Sequence, residues 1–84
     1  MSLYALQKLI RDVNRKPDCR SRYFESPAKF ADAYELTSEE RQALLNLDIE
    51  RLYAEGVHGL LLRPFTILHS VAEANYLKAI RGER

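Results

Sequence analysis

Few side chains in this sequence are of types that do chemistry, and their spacing serves it poorly. His58 and His69 stand eleven residues apart, and no His-x-x-x-His pair exists. A non-haem iron site needs two histidines and a carboxylate that converge and leave positions open. His58, His69 and Glu73 can be drawn that way, since His69 and Glu73 are one helical turn apart. The signal is weak, and no metal site is assigned to the chain. His58 lies in a tight turn, where a ring bonded to backbone is expected. His69 is read as a helix-surface or interface residue. Ser21, Ser26, Ser38 and Ser70 have no base beside them, and the three glycines form no phosphate-cradling loop. Cys19 is the single cysteine, which excludes an internal disulfide and a Cys-based zinc site. Arg20 and Arg22 beside it favour thiolate, but the plain reading is a reduced intracellular thiol. No catalytic residue is expected.

Contact chemistry is better represented. Tyr4, Tyr23, Tyr34, Tyr53 and Tyr76 are many for 84 residues. Tyrosine has an apolar body and a polar tip, so it suits a core edge or an interface. The run Leu60-Leu61-Leu62-Arg63-Pro64-Phe65 is the other candidate patch, because Arg flanked by apolar side chains is favoured in interface centres. Plain core is the equal alternative for it.

The net charge of +1 hides an uneven spread. Residues 1–30 carry seven basic and three acidic side chains, whereas residues 31–55 carry two and seven. An acidic middle between basic flanks pairs internally or across an interface. Nucleic acid is not expected as a partner, because the basic residues are not interleaved with a base-reading motif. No apolar run approaches the ~20 residues of a membrane span. The N-terminus carries charges from Lys8 on and shows no signal-peptide pattern. A cytoplasmic protein is expected.

These residues need elements to position them. Eighty-four residues, 46% of them apolar, make one domain, and a chain of this size buries only about 60% of its unfolded surface. Burial by a partner would therefore help it. The clearest element is a helix over 38–55. Thr37 and Glu40 fit a capping box at its start. Leu45, Ile49, Leu52 and Tyr53 recur at helical spacing beside Leu44 and Leu47, and Gly56 supplies the stop. With Glu55 as C-cap, Val57 packs back on Leu52. A first helix over 3–15 is capped by Ser2 and buries Leu3, Leu6, Leu9 or Ile10, and Val13. Gln7, Arg11 and Asp12 fall off that face. Pro17 ends it, and Asp18 caps a short helical turn that brings Tyr23 and Phe24 inward. Ser26-Pro27 starts a short helix to about Tyr34, with Ser26 as N-cap and proline at the first position. Leu60–Leu62 form an apolar turn. Pro64 opens a last helix, about 64–81, that buries Phe65, Leu68, Val71, Ala72, Tyr76 and Ala79. A polar tail from Arg81 to Arg84 frays. No strand pattern and no internal repeat appear. The fold class is all-α, a small single-domain bundle over residues 1–84 with about four or five helices and short connections.

The central stretch carries a family resemblance. Tyr34-Glu35-Leu36-Thr37-Ser38-Glu39-Glu40-Arg41, then Ala43-Leu44-Leu45, Asp48, Leu52 and Gly56-Val57-His58, resembles the LigA-like small (alpha) subunits of aromatic-ring-opening dioxygenases of the protocatechuate 4,5-dioxygenase type. Phe24-Glu25-Ser26-Pro27-Ala28-Lys29-Phe30 is similar to the family's lead-in, so the resemblance covers residues 22–66. It implies an all-helical accessory chain that binds no cofactor of its own. The Fe(II) is held by a separate large subunit, and the small chain caps that site. By the same analogy Tyr34, His58, Arg63 and Phe65 are the residues expected to contact the partner or the active site. The alternative is a stand-alone interaction module, a homodimer with no ring-cleavage role. A leader domain for a modified peptide is a further form of it, disfavoured because residues 78–84 offer no Ser, Thr or Cys.

Overall fold

The computed structural model describes residues 2–81, the side chain of Ser2 excepted. Seven helices follow one another in this stretch: α1 (Ser2–Arg15), α2 (Pro17–Glu25), α3 (Pro27–Ala31), α4 (Ser38–Leu45), α5 (Ile49–Ala54), α6 (Gly59–Leu68) and α7 (Glu73–Ile80). No strand occurs among the described residues, so the fold is all-α. Part of the expected polar tail, residues 82–84, and the Ser2 side chain expected as a cap lie outside the described residues.

α1 is the spine. Its apolar stripe is buried as its spacing requires: Leu6, Leu9, Ile10 and Val13 are fully enclosed. It packs most extensively against α6 and α2, while α5 bridges α4, α6 and α7. At the corner after α1, Lys16 is extended (φ −108°, ψ 112°), as the residue before a proline must be. Arg20 closes this corner, donating to the carbonyls of Val13 (3.2 Å) and Asn14 (2.7 Å) that the helix end leaves open. Two expected caps are absent. Asp18 lies inside the first turn of α2, and Ser26 makes no side-chain bond at the start of α3. Proline alone opens both helices. Asp12 also departs from expectation: it lies on α1 with only 6% of its surface exposed.

The expected helix over 38–55 is two helices. Its start is as read: the Thr37 hydroxyl accepts from the Glu40 N–H (3.1 Å), and the Glu40 carboxylate accepts from the Thr37 N–H (2.9 Å). The break comes at Leu47, which takes a positive φ of 48°. There the Asp48 N–H reaches the Ala43 carbonyl (2.8 Å) and the Leu47 N–H reaches that of Leu44 (3.1 Å). This is the Schellman stop, which satisfies carbonyls that a helix end would orphan. Asp48 then restarts the chain as the cap of α5, accepting from the Arg51 N–H at 3.2 Å. Leu45, at the end of α4, and Tyr53, on α5, are exposed rather than buried.

The same stop recurs twice. Gly56, at φ +107°, ends α5, with the Val57 N–H on the Leu52 carbonyl (3.1 Å) and Leu52 and Val57 both buried. A Cβ on Gly56 would also approach the Leu3 side chain to 3.1 Å. Ser70, at φ 62°, ends α6, with the Val71 N–H on the Thr66 carbonyl (3.0 Å). This corrects the expected helix over 64–81. α6 begins earlier, at Gly59 with His58 as its N-cap, and runs through Pro64. The proline removes one intrahelical bond, the one to the Leu60 carbonyl. Pro64 and Leu60 lie on the exposed face.

Candidate functional site

Aromatic side chains connect the expected contact residues. Tyr23 of α2 is the hub, 1% exposed. Its ring meets Phe24 (5.0 Å between centroids), Phe30 (6.0 Å), Phe65 (5.5 Å) and His69 (5.5 Å), mostly edge to face. Such pairings add stability beyond buried area. Phe30 continues the row to Tyr34 at 5.5 Å. Tyr34 and Phe65 are thus joined through Phe30 and Tyr23, whereas His58 and Arg63 belong to separate surroundings.

Tyr34 stands at the surface end of this row. Its hydroxyl donates to Oδ2 of Asp12 at 2.6 Å, tying the stretch after α3 to α1. Lys8 and Lys16, one turn before and after Asp12, reach the same carboxylate at 3.3 and 3.5 Å. Burial pushes the Asp12 carboxyl up, but the Tyr34 hydroxyl and the two ammonium groups outweigh it and hold the group below its ordinary 3.8. Burial, and then the Asp12 carboxylate, push the Tyr34 phenol well above its ordinary value. The tyrosine is therefore a fixed donor at neutral pH.

His58 caps α6. Its Nδ1 accepts from the Leu60 N–H (3.1 Å), as its place in a tight turn suggested, and its own N–H donates to Gln7 Oε1 (3.0 Å). The residue is exposed. Arg63 turns inward. Its guanidinium donates to the Thr66 hydroxyl (3.3 Å) and the Val71 carbonyl (3.2 Å), and lies 5.0 Å from the Tyr76 ring centroid. It thereby clamps the α6–α7 turn. Phe65 is wholly enclosed and serves the core. His69, at the end of α6, is placed in the aromatic cluster, with Nε2 2.9 Å from the Tyr23 hydroxyl. Burial lowers its pKa from 6.5 and lifts that of Tyr23 to about 12, so a neutral imidazole and an intact phenol share this hydrogen bond. Cys19 is buried, with Arg22 Nη2 3.6 Å from its sulfur.

Among the described residues no group of three or more His, Cys, Asp or Glu side chains is gathered to hold a metal ion. No described helix is long and apolar enough to cross a membrane. The ion pairs resolved are Lys8–Asp12, Lys16–Asp12, Arg41–Asp32 and Arg51–Glu55. Each of these four lies within the basic first third or within the acidic middle.

Two features escaped sequence reasoning. Asp12 was hidden because it borders the apolar stripe and its partner Tyr34 is 22 residues away; its one signal was Lys8 and Lys16 at four-residue spacing on either side. The run from Leu60 to Phe65 was read as a candidate patch, but that Leu60, Pro64 and Ile67 form one exposed stripe was hidden by the expected helix start at Pro64. With α6 begun at Gly59 these residues share one face, Leu60 at 80% and Ile67 at 56% exposure.

Comparison with known proteins extends the resemblance beyond the central stretch. No curated protein and no solved structure matches the chain. The sequence model described as aromatic-ring-opening dioxygenase LigAB, LigA subunit, matches residues 6–84. With nearly its whole length matched, from α1 onward, the chain belongs to the LigA subunit family of the aromatic-ring-opening dioxygenases.

Proposed function

We propose that this chain is the non-catalytic small subunit of an extradiol aromatic-ring-cleavage dioxygenase and that it caps the Fe(II) site of a separate large subunit. The observation that carries the reading is the family match over residues 6–84. Among the described residues no group of three or more His, Cys, Asp or Glu side chains is gathered. In this reading the iron and the ring-opening steps belong to the large subunit. The small chain contributes surface. A lid excludes water and helps fix the substrate. Exposed His58 and the Leu60–Pro64–Ile67 stripe beside it offer an apolar face with a polar edge, the composition of an interface centre and rim. Arg63 and Phe65 support that face from inside by locking α6 in place, and Tyr34 presents the second contact.

A second copy of the chain in a homodimer is the competing occupant for these surfaces.

The test is co-purification from the native lysate, followed by ring-opening assays with Fe(II) and a catechol. The expected result is a larger partner whose turnover rises when this chain is added. Ile67→Lys should weaken that complex while leaving the small chain folded. A clean homodimer that recovers no larger protein and changes no ring-opening rate would defeat the subunit reading.

A further inference from the structure

Two side-chain bonds mark where α1 and α6 meet. Gln7 Oε1 accepts from the His58 N–H at 3.0 Å, and Asn14 Nδ2 donates to the Leu61 carbonyl at 3.0 Å. Gln7 and Asn14 are two turns apart, so they lie on one edge of α1. Arg11 falls between them, four residues after Gln7 and three before Asn14, and Arg15 follows it by one turn. On the other side of this seam runs the exposed stripe of α6, Leu60, Pro64 and Ile67. The stripe is about 10 Å long at the helical rise of ~1.5 Å per residue.

The charge along the seam has one sign. Arg11 and Arg15 are exposed, and neither guanidinium enters an ion pair or hydrogen bond among the described residues. α6 contains no acidic residue. The one acid of α1, Asp12, is buried and taken up by Tyr34, Lys8 and Lys16. Asp18, past the corner at Pro17, is the nearest exposed acid in sequence, and it pairs with neither arginine. An apolar line with uncompensated cations along one side is complemented by apolar anchors with carboxylates along one side.

A helix supplies that complement best. Strand addition needs an exposed sheet edge, and no strand occurs among the described residues. A helix laid along two packed helices offers anchors at i, i+3, i+4 and i+7, in step with the spacing of Leu60, Pro64 and Ile67. A second copy of the chain lacks the acid, because a two-fold contact matches the seam with itself, cation against cation. A bilayer needs a broad apolar face with cations on the same helix. Here the face has three side chains, and the arginine of α6, Arg63, is turned inward to Thr66 and Val71.

We propose that the α1–α6 seam docks an amphipathic helix of a partner protein, its apolar side chains on Leu60, Pro64 and Ile67 and its carboxylates on Arg11 and Arg15. The owner of that helix rests on the subunit reading; the chemistry of the seam does not.

The experiment is an amide NMR titration of the purified chain with two stapled helical peptides. Both carry leucines at i, i+3, i+4 and i+7, flanked by glutamates in one and by lysines in the other. The glutamate peptide is expected to give saturable shifts at residues 7–15 and 59–68. It should bind roughly tenfold more tightly than the lysine peptide at low salt. Arg11→Gln with Arg15→Gln should remove that preference, and Arg11→Glu with Arg15→Glu should reverse it, with amides of the buried core unmoved as the check on folding. Ile67→Ser should weaken both peptides, and Lys29→Gln, on α3, should change neither. Equal binding of the two peptides, or a preference that survives the arginine variants, would overturn the acidic complement. Shifts elsewhere, or none that saturate at millimolar peptide, would overturn the docking face. Phosphatidylglycerol vesicles that shift the seam when neither peptide does would give it to a membrane. A dimer in light scattering that Ile67→Ser disperses would give it to a second copy. A positive titration beside a co-purification that recovers no ring-cleaving partner would sink the subunit reading alone. A failed titration beside an active complex would sink the seam alone.

Discussion

Tyr23 and Tyr34 do the same thing by opposite means. Each ties its phenol by a hydrogen bond to a side chain far away in sequence, Tyr23 to His69 and Tyr34 to Asp12. The ring contacts of Tyr23 are aromatic, and its hydrogen bond is a minor addition to packing. Around Tyr34 a carboxylate, two lysines and a phenol meet, and the hydrogen bond is charge-assisted. The difference teaches where the fold rests on packing and where on charge. The buried hub holds α2, α3 and α6 together. The charged bridge holds the stretch after α3 to α1 at the cost of depending on protonation.

Four outcomes would sharpen or break this contrast. Tyr23→Ala should have the largest effect, about 3–5 kcal/mol of lost stability in urea melts, because a fully enclosed aromatic leaves a cavity against four rings. Tyr34→Phe should come next, about 1.5–3 kcal/mol, the usual worth of a hydrogen bond to a charged group. Tyr23→Phe should cost about 1 kcal/mol, since only a neutral bond is lost. If Tyr23→Phe proves costlier than Tyr34→Phe, the aromatic cluster is held by polarity and the contrast is reversed. The smallest effect is a separation in pH. His69 has its pKa depressed below 6.5 by folding, so stability present above 6.5 declines as pH falls through the folded value, the unfolded chain taking up the proton first. Asp12, depressed below 3.8, keeps its contribution through that range and loses it only under more acidic conditions. Urea midpoints across pH should show two separate declines, the upper absent in His69→Gln and the lower reduced in Asp12→Asn.

Much of the fold was legible in the residues. The α1 stripe, the Thr37–Glu40 box and the stop at Gly56 all follow from local chemistry, and each stands as read. What was not legible depends on two residues with no glycine's licence. Leu47 and Ser70 occupy left-handed conformations that local propensity disfavours, because the packing of Leu47 and Val71 on the core outweighs the strain. No turn signal in the sequence marks Leu47, so 38–55 reads as unbroken. Pro64 misled in the other direction, since its ring is accepted inside a helix whose start another residue had already fixed. The α1–α6 seam was the least visible feature. Arg11 and Arg15 lie on one helix and Leu60, Pro64 and Ile67 on another, and only the bonds of Gln7 and Asn14 to α6 set them side by side. Of the residues expected at the contact surface, His58 carried a readable signal in its tight turn, whereas Tyr34, Arg63 and Phe65 were named from the resemblance alone. The inward turn of Arg63 depends on Tyr76 and Val71, well beyond its own helix.

The repeated helix stops have a consequence for how the molecule opens. Six of the seven described helices have ten residues or fewer. Isolated helices below ~12–15 residues are marginal in water. None of these six can persist once its neighbours leave, so no fragment offers a refuge of residual structure. Amide hydrogens in α2 and α5 should exchange through the same rare event as those in α1. Protection across the chain should therefore be nearly level, and a partner that covers any one face should slow exchange at all of them.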